Sequence, residues 1–218
     1  MNNNNNIVII IIIIIIIIII IIINHVTPEC CLEFFSSPQV FQRRMDGSLN
    51  FYRAWDQYRM GFGSAAGEYW LGLEILSILS LRKKYELLVY MEDFEGNQAF
   101  ARYASFSVDP ETFGYRLHVS GFTDGGAGDA LSYHDGLQFS TFDRDQDLYE
   151  NECARLYLGA FWYNKCFNTN LNGVYRRGID SGVTDVGVQW LPWKGSNYSL
   201  KSISMNIRPV QEEQNIEP

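Results

Sequence analysis

Aspartates on alternate positions are the residues of this chain whose spacing most directly suggests chemistry. Asp143, Asp145 and Asp147 lie in one loop-rich stretch between Phe142 and Gly173. Because packed carboxylates repel one another unless a cation joins them, this spacing suits a hard cation. Ca²⁺ fits a flexible loop better than Mg²⁺ or a transition metal. A solvated acidic turn explains the same spacing, since aspartate is common in turns. On spacing alone, both interpretations stand.

An EF-hand does not fit these aspartates. If the loop began at Asp143, its sixth residue, which must be glycine, would be Leu148. Its twelfth residue, which must be a bidentate glutamate, would be Ala154. A calcium site here would therefore need a different set of ligands.

Composition excludes several classes of function. The chain has 218 residues, a net charge of −8, 15% aromatic and 19% charged residues, which indicates a folded domain and not a disordered one. A nucleic-acid-binding protein needs a basic face, and the net negative charge argues against one. The histidines, His25, His118 and His134, lie in no hydrolase or zinc-site motif, so we expect no enzymatic activity.

Hydrophobic periodicity predicts an α+β fold, with a twisted, mainly antiparallel sheet and short helices against it. Tyr85, Leu87, Val89 and Met91 occupy alternate positions and predict a strand that is buried on at least one face. The other predicted elements are helices over Phe51–Gly61 and Glu74–Leu81 and strands over Asn97–Val108, Tyr115–Val119 and Tyr198–Arg208. After Gly121 the periodicity is lost, so this region needs fasteners other than regular structure.

The start of the chain does not fit this pattern. Residues 1–23 are a poly-asparagine run followed by a poly-isoleucine run, which is at the short limit for a membrane span. The run could instead be the core of a signal peptide, although it lacks a basic start and a small-residue cleavage site. We favour a third interpretation, a gene-model artefact, because one AAT repeat encodes asparagine in one frame and isoleucine in the next.

Six further segments carry a resemblance to one family. They are VFQRRMDGSLNFYRAW (Val40–Trp55), GFGSAAGEYWLGLE (Gly61–Glu74), YELLVYMEDFEG (Tyr85–Gly96), FTDGGAGDALSYHDGLQFSTFDRDQD (Phe122–Asp147), LNGVYRRG (Leu171–Gly178) and WKGSNYSLKSISMNIRP (Trp193–Pro209). Together they resemble the fibrinogen C-terminal domain, the globular head shared by fibrinogen chains, ficolins, tenascins, angiopoietins and microfibril-associated glycoproteins. Within that family, GGAGD, FSTFDRDQD and GAFWY are most similar to the microfibril-associated glycoproteins.

The resemblance covers residues 40–210 and implies a domain plan. The plan has an unreliable leader at 1–39, a central sheet at 40–121 and 197–210, a loop-rich calcium-binding subdomain at 122–196 and an acidic tail at 211–218. The family's cysteine-containing first strand has no match in the leader. Cys30 or Cys31 would therefore be unpaired or would link chains into a disulfide-bonded oligomer.

The resemblance also implies the metal ligands and two covalent features. Asp145 and Asp147 would supply carboxylates to Ca²⁺, and waters would complete its shell. The backbone carbonyls of Tyr149 and Asn151 would be further ligands. Asp143 would act only outside the direct coordination sphere. Cys153 and Cys166 correspond to the family's C-terminal disulfide. The peptide bond Lys165–Cys166 is expected to be cis.

A small ligand pocket is implied beside the second cysteine, where lectin-like members hold acetyl groups. Its candidate residues are Tyr157, Lys165, Cys166, Phe167, Val183 and Ser196. Phe167 stands in place of a histidine, and Ser196 in place of an aromatic wall. Because a buried hydrogen bond and an aromatic contact are each worth ~1 kcal/mol, we expect weak or absent binding of N-acetylglucosamine. Phe161 and Trp162 are expected to pack in the core.

Asn197 begins an Asn-Tyr-Ser sequon and is a candidate glycosylation site. Its position at the start of a predicted strand argues against occupancy.

The sequence thus predicts a secreted, extracellular, calcium-dependent binding protein that recognises matrix or microfibril proteins and supports cell adhesion. One alternative is an innate-immune lectin for acetylated glycans, and another is a truncated, non-functional gene fragment. The expected partners are extracellular matrix proteins or glycans. No nucleic acid is expected, and a membrane only if the leader is real.

Overall fold

The computed structural model describes residues 38–179 and 185–210, and the leader, Cys30, Cys31, Val183 and the acidic tail lie outside them. The strands are β1 (Gln39–Arg44), β2 (Phe62–Gly63), β3 (Tyr69–Trp70), β4 (Tyr85–Glu92), β5 (Gln98–Val108), β6 (Leu117–Gly125), β7 (Thr169–Asn170), β8 (Gly178–Ile179), β9 (Gln189–Trp190), β10 (Tyr198–Ser199) and β11 (Ser202–Pro209). The helices are α1 (Trp55–Met60), α2 (Leu73–Arg82), α3 (Cys153–Leu156) and α4 (Leu191–Lys194), with single 3-10 turns at Glu111–Phe113 and Leu131–His134. Within the described ranges, no helix has the length and apolar character that crossing a bilayer requires.

Seven strands form one antiparallel sheet in the order β2-β3-β1-β11-β4-β5-β6. This arrangement confirms the predicted α+β fold, and β4 pairs with β5. The last strand in sequence, β11, lies in the interior of the sheet between β1 and β4. The residues predicted as one final strand, Tyr198–Arg208, in fact form two: β10 pairs with β8 in a separate small sheet, and only β11 joins the large one.

The sheet has one buried face and one open face. Along β4, Leu87, Val89 and Met91 are buried while Tyr90 is 51% exposed, because successive side chains of a strand point to opposite faces. The buried face continues into the loop region through aromatic rings. The Phe139 ring lies 5.8 Å from that of Trp70 and 5.1 Å from that of Trp162. Both Phe161 and Trp162 are fully buried, which confirms their predicted place in the core.

Helix α1 begins later than periodicity predicts. The predicted helix started at Phe51, but the Asn50 side chain accepts the N–H of Tyr52 at 2.9 Å and holds a turn there. The first helical N–H, that of Trp55, is accepted at 2.9 Å by the carboxylate of Asp143, which is far away in sequence. A cap supplied by a distant loop leaves no local signal, so the sequence could not fix this boundary.

Strand β6 also differs from its predicted range. Tyr115 lies outside the strand, with a positive φ of 50°. At the other end the strand continues past Gly121, because Phe122 and Asp124 still pair with β5 at Tyr103 and Ala101. Strand β6 therefore runs four residues beyond Gly121, the point at which the sequence loses its periodicity.

A buried ion pair connects the sheet to the loop region. Arg44 at the end of β1 is 1% exposed, and its guanidinium donates to the carbonyls of Leu171 at 3.0 Å and Gly173 at 2.7 Å. Its Nε lies 3.7 Å from the buried carboxylate of Glu68. That carboxylate accepts four backbone N–H groups, from Met45, Asp46, Gly47 and Leu49. Burial lowers the pKa of Arg44 to about 10, so the guanidinium remains charged at neutral pH.

The interior position of β11 leads to a matched pair of substitutions. Met205 is fully buried, and its neighbour Ser204 faces the open side of the sheet. We expect Met205→Ala to lower the free energy of unfolding by about 2–5 kcal/mol through lost burial and the cavity that remains. Ser204→Ala should change it by less than about 0.5 kcal/mol. Urea denaturation measures both, and equal losses would contradict the assignment of faces.

Candidate functional site

The acidic loop brings two of the predicted metal ligands together. The Asp145 carboxylate accepts the N–H of Asp147 at 3.1 Å, and Asp147 Oδ1 accepts the N–H of Tyr149 at 2.8 Å. Asp147 Oδ2 accepts the N–H of Cys153 at 2.8 Å. Each aspartate thus fixes a turn by bonding two residues onward, as aspartate commonly does. The result is a half-buried carboxylate held beside an exposed one.

The electrostatics of this pair suit a cation. Burial raises the pKa of Asp147 to about 6; the N–H groups of Tyr149 and Cys153 oppose this rise, and the neighbouring Asp145 carboxylate adds to it. A carboxylate oxygen that accepts one N–H keeps a second lone pair free for a metal.

The remaining ligands would have to be uncharged oxygens. Across the described residues, no group of three His, Cys, Asp or Glu side chains lies close enough to hold a metal by itself. A cation at Asp145 and Asp147 would therefore rely on the carbonyls of Tyr149 and Asn151 and on water. Such an all-oxygen set fits Ca²⁺ and disfavours zinc or copper.

Asp143 has a structural position. Its Oδ1 accepts both the N–H of Trp55 at 2.9 Å and the hydroxyl of Thr141 at 2.7 Å. These bonds attach the acidic loop to the start of α1. The spacing of three aspartates therefore combines two tasks, with Asp143 as a cap and the other two as the candidate ligands.

The predicted disulfide is confirmed, and it adjoins the acidic loop. Cys153 and Cys166 are bonded, with Cα atoms 5.6 Å apart. The Lys165–Cys166 peptide is cis, as expected. Because Cys153 is the first residue of α3 and donates its N–H to Asp147, the carboxylate, the helix and the disulfide form one connected unit.

The candidate pocket beside the disulfide is only partly assembled. The Tyr157 and Phe167 rings meet edge to face with centroids 4.9 Å apart, and Tyr163 lies 6.1 Å from Phe167. Burial raises the pKa of Tyr157, and the negative charge of Asp185 adds to the rise. Lys165 is exposed.

Two other predicted positions lie on a turn before β10. The Ser196 carbonyl accepts a hydrogen bond from the Gln189 side chain, and its hydroxyl lies 3.4 Å from the Asn197 side-chain oxygen. Asn197 is exposed and sits on the turn itself, outside any strand. The sequence-based argument against glycosylation, which placed Asn197 at the start of a strand, therefore loses its basis.

His134 is a buried residue whose role the sequence did not reveal. Its Nδ1 lies 2.7 Å from the carbonyl of Trp162 and so must carry a proton, while Nε2 accepts the N–H of Asn168 at 3.2 Å. Burial lowers the pKa of His134 to about 4, so the ring is neutral. His134 joins the segment before the acidic loop to the segment after the disulfide. The sequence did offer one sign of its burial, since His134 lies three residues after the apolar Leu131. His118, by contrast, is exposed and pairs with Asp109 at 2.9 Å.

An antiparallel sheet, an aromatic core and a disulfide-stapled acidic loop together define a fibrinogen-like globular head. The chain belongs to the fibrinogen C-terminal domain family, since residues 36–210 match the family described as fibrinogen beta and gamma chains, C-terminal globular domain.

Similar proteins agree with this assignment and with the predicted resemblance. Microfibril-associated glycoprotein 4 from Bos taurus is 55% identical over 174 residues, which cover 78% of this chain and 68% of that protein. Fibrinogen C domain-containing protein 1 from Homo sapiens is 52% identical over 179 residues, 80% of this chain and 38% of that protein. The fibrinogen-like globe domain of human ANGPTL2 superimposes with a TM-score of 0.77 at 47% identity, covering 79% of this chain and 80% of that one. Lamprey fibrin D-dimer gives 0.75 at 33% identity, covering 83% and 66%.

The neutral His134 ring predicts a pH dependence of stability. Its folded pKa of about 4 lies below the ordinary value of 6.5, so the unfolded chain takes up the proton first as the pH falls. The stabilisation is complete above the ordinary pKa and is lost as the pH falls toward the folded one. Between pH 7 and pH 5 the wild type should lose roughly 2 kcal/mol more than His134→Gln, which cannot titrate. Urea unfolding at both pH values in EDTA measures the difference, and parallel losses would contradict it.

Proposed function

We propose that this chain is an extracellular recognition module whose binding surface is ordered by Ca²⁺ at Asp145 and Asp147 and which docks on matrix or microfibril proteins. The observation that carries the proposal is the pair of adjacent carboxylates with no cationic partner among the described residues, one of them bonded to the first N–H of α3. Membership of a family of fibrinogen-like binding domains supports the recognition role. Secretion and cell adhesion are parts of the same proposal.

The residues around Asp145 and Asp147 explain how bound Ca²⁺ would order the Tyr157–Phe167 pair. Bound Ca²⁺ would neutralise the two carboxylates and fix the loop that carries them. Asp147 holds α3 through the N–H of Cys153, and α3 is joined by the disulfide to Cys166. Tyr157 follows α3 directly, and Phe167 follows the disulfide. Loss of order at Asp147 would therefore reach the aromatic pair through two short covalent paths.

Exposed apolar side chains favour a protein as the partner. Leu148 is 58% exposed, Tyr149 39% and Leu156 46%, and all three lie next to the acidic loop or the disulfide in sequence. Apolar groups clustered at a functional loop commonly mark protein–protein contacts. The name of the bovine relative, a microfibril-associated glycoprotein, points to the same class of partner.

A second candidate function is a lectin for acetylated glycans. The edge-to-face Tyr157 and Phe167 rings beside Cys166 favour it, because they could enclose an acetyl methyl group. Phe167 supplies no hydrogen bond where an imidazole would, so this pocket should hold N-acetylglucosamine weakly.

Thermal unfolding with and without metal tests the calcium site. At about 100 times the Kd, calcium would stabilise the fold by about 2.7 kcal/mol, which corresponds to a rise of several degrees in Tm over the value in EDTA. Asp147→Asn should abolish the shift. Asp143→Asn is the matched control: it should lower the metal-free Tm through the weakened cap but keep the calcium shift. Equal midpoints for the wild type in calcium and EDTA would refute the site.

Capture on immobilised elastin or collagen, set beside a glycan array, tests the class of partner. Wild-type protein should be captured in calcium and released by EDTA. Leu148→Ser should weaken capture about tenfold, as loss of a central apolar contact does. Leu81→Ser is the control, because Leu81 is 73% exposed on α2, away from the metal loop. Strong binding to acetylated glycans without matrix capture would favour the lectin.

A further inference from the structure

The open face of the central sheet carries a groove that the proposed function does not use. A cavity of about 550 Å³ lies over β1, β11, β4 and β5, within the range of small-ligand sites. None of the acidic loop, the disulfide or the Tyr157–Phe167 pair lines it. The groove is therefore separate from the calcium site.

One row of side chains crosses the groove. Arg43, Ser204, Tyr90 and Phe100 are successive cross-strand partners on four neighbouring strands. With strands ~4.8 Å apart, the row is about 14 Å long, which suits several linked rings better than one. It presents a cation at one end, a hydroxyl next to it and two aromatic rings at the other end.

The aromatic end is a preformed platform. The Tyr90 and Phe100 ring centroids are 6.1 Å apart, and the rings are 51% and 37% exposed. Phe100 is held from behind by Gly125, where an added Cβ would lie 2.4 Å from the ring. Ligand binding therefore needs little ordering of these side chains.

The charge on this face is positive although the chain as a whole is acidic. Arg43 donates to the carbonyl of Ala65 at 2.8 Å and has no carboxylate partner among the described residues. In the next two rows along the same face, Arg102 and Arg208 share the single carboxylate of Glu86. The other charged groups here, Arg44 with Glu68 and Glu92 with Lys201, are paired one to one. The face therefore carries a surplus of two positive charges.

The backbone of this face is not available to a peptide. The strands β1, β11, β4 and β5 are each paired with a neighbour on both sides, so none of these four offers a free edge to an added strand. A ligand meets aromatic faces, hydroxyls, an amide, guanidinium groups and apolar side chains, together with the carboxylate of Glu92, which is neutralised by Lys201. Such groups stack on sugar rings and bind their hydroxyls and acidic substituents.

We propose that this groove binds a linear acidic saccharide, with a sugar ring stacked on Tyr90 and Phe100 and an acidic group bound to Arg43. Binding is independent of calcium, because none of the metal ligands is involved. This proposal is therefore independent of the function proposed for the acidic loop, and either can fail without the other.

Calorimetry of the full chain in EDTA tests it, with a hyaluronan hexasaccharide as the probe. We expect saturable binding that weakens as NaCl rises from about 50 to about 300 mM, because salt screens the charges. Tyr90→Ala should weaken binding at least about fivefold, the effect of losing one aromatic contact. Phe113→Ala, which removes an exposed ring outside the groove, should leave it unchanged.

The charged end has its own pair of variants. Arg43→Gln should weaken binding and flatten the salt dependence, while Arg43→Lys should retain much of both. Maltohexaose, which is neutral, and hexaglutamate, which is acidic but not a sugar, should bind far more weakly than the probe. The proposal is overturned if the probe does not bind, if Tyr90→Ala binds as well as Phe113→Ala, or if either comparison ligand binds as tightly.

Discussion

The buried pairing of Arg44 with Glu68 is the constraint on which the rest of the structure depends. Arg44 ends β1 and holds the carbonyls at Leu171 and Gly173, so one guanidinium ties the sheet to the irregular region. Glu68 accepts the N–H groups of residues 45, 46, 47 and 49 and so fixes the turn of the chain after β1. Removing one member of such a pair costs about 3–5 kcal/mol, because the other charge is left buried and alone. The pair therefore fixes the turn after β1 and the segment at 171–173 to each other.

The irregular region has little regular structure and is held instead by individual side-chain contacts and a disulfide. Asp143 fastens the acidic loop to α1, the aromatic rings of Phe139 and Trp162 seat it on the sheet, and His134 joins two of its segments. The disulfide adds a covalent link where hydrogen-bonded ladders are shortest. Asp145 and Asp147 hold turns of the loop by accepting backbone N–H groups, and the same carboxylate oxygens keep lone pairs that a ligand can use.

The sequence revealed the elements that carry their own pattern. The alternation in β4 and β5 and the apolar spacing of α2 were legible because burial imposes a period on each. The start of α1 was not, because its cap comes from Asp143, 88 positions away. The disulfide was predicted from the family resemblance, because the spacing of the two cysteines alone could only suggest it. Arg43, Tyr90 and Phe100 could not be grouped before the strand order was known, since they come from three different strands.

The interior position of β11 has a consequence for how the protein is made. Until residues 202–209 leave the ribosome, the strands on either side of them, β1 and β4, lack their shared partner. Until then the nascent chain carries two half-sheets with apolar faces and unpaired edges. Such long-range closure is slow and exposes the chain to aggregation. The central sheet of this head can therefore close only after residues 202–209 have left the ribosome, and the edges of β1 and β4 stay open to wrong pairing until then.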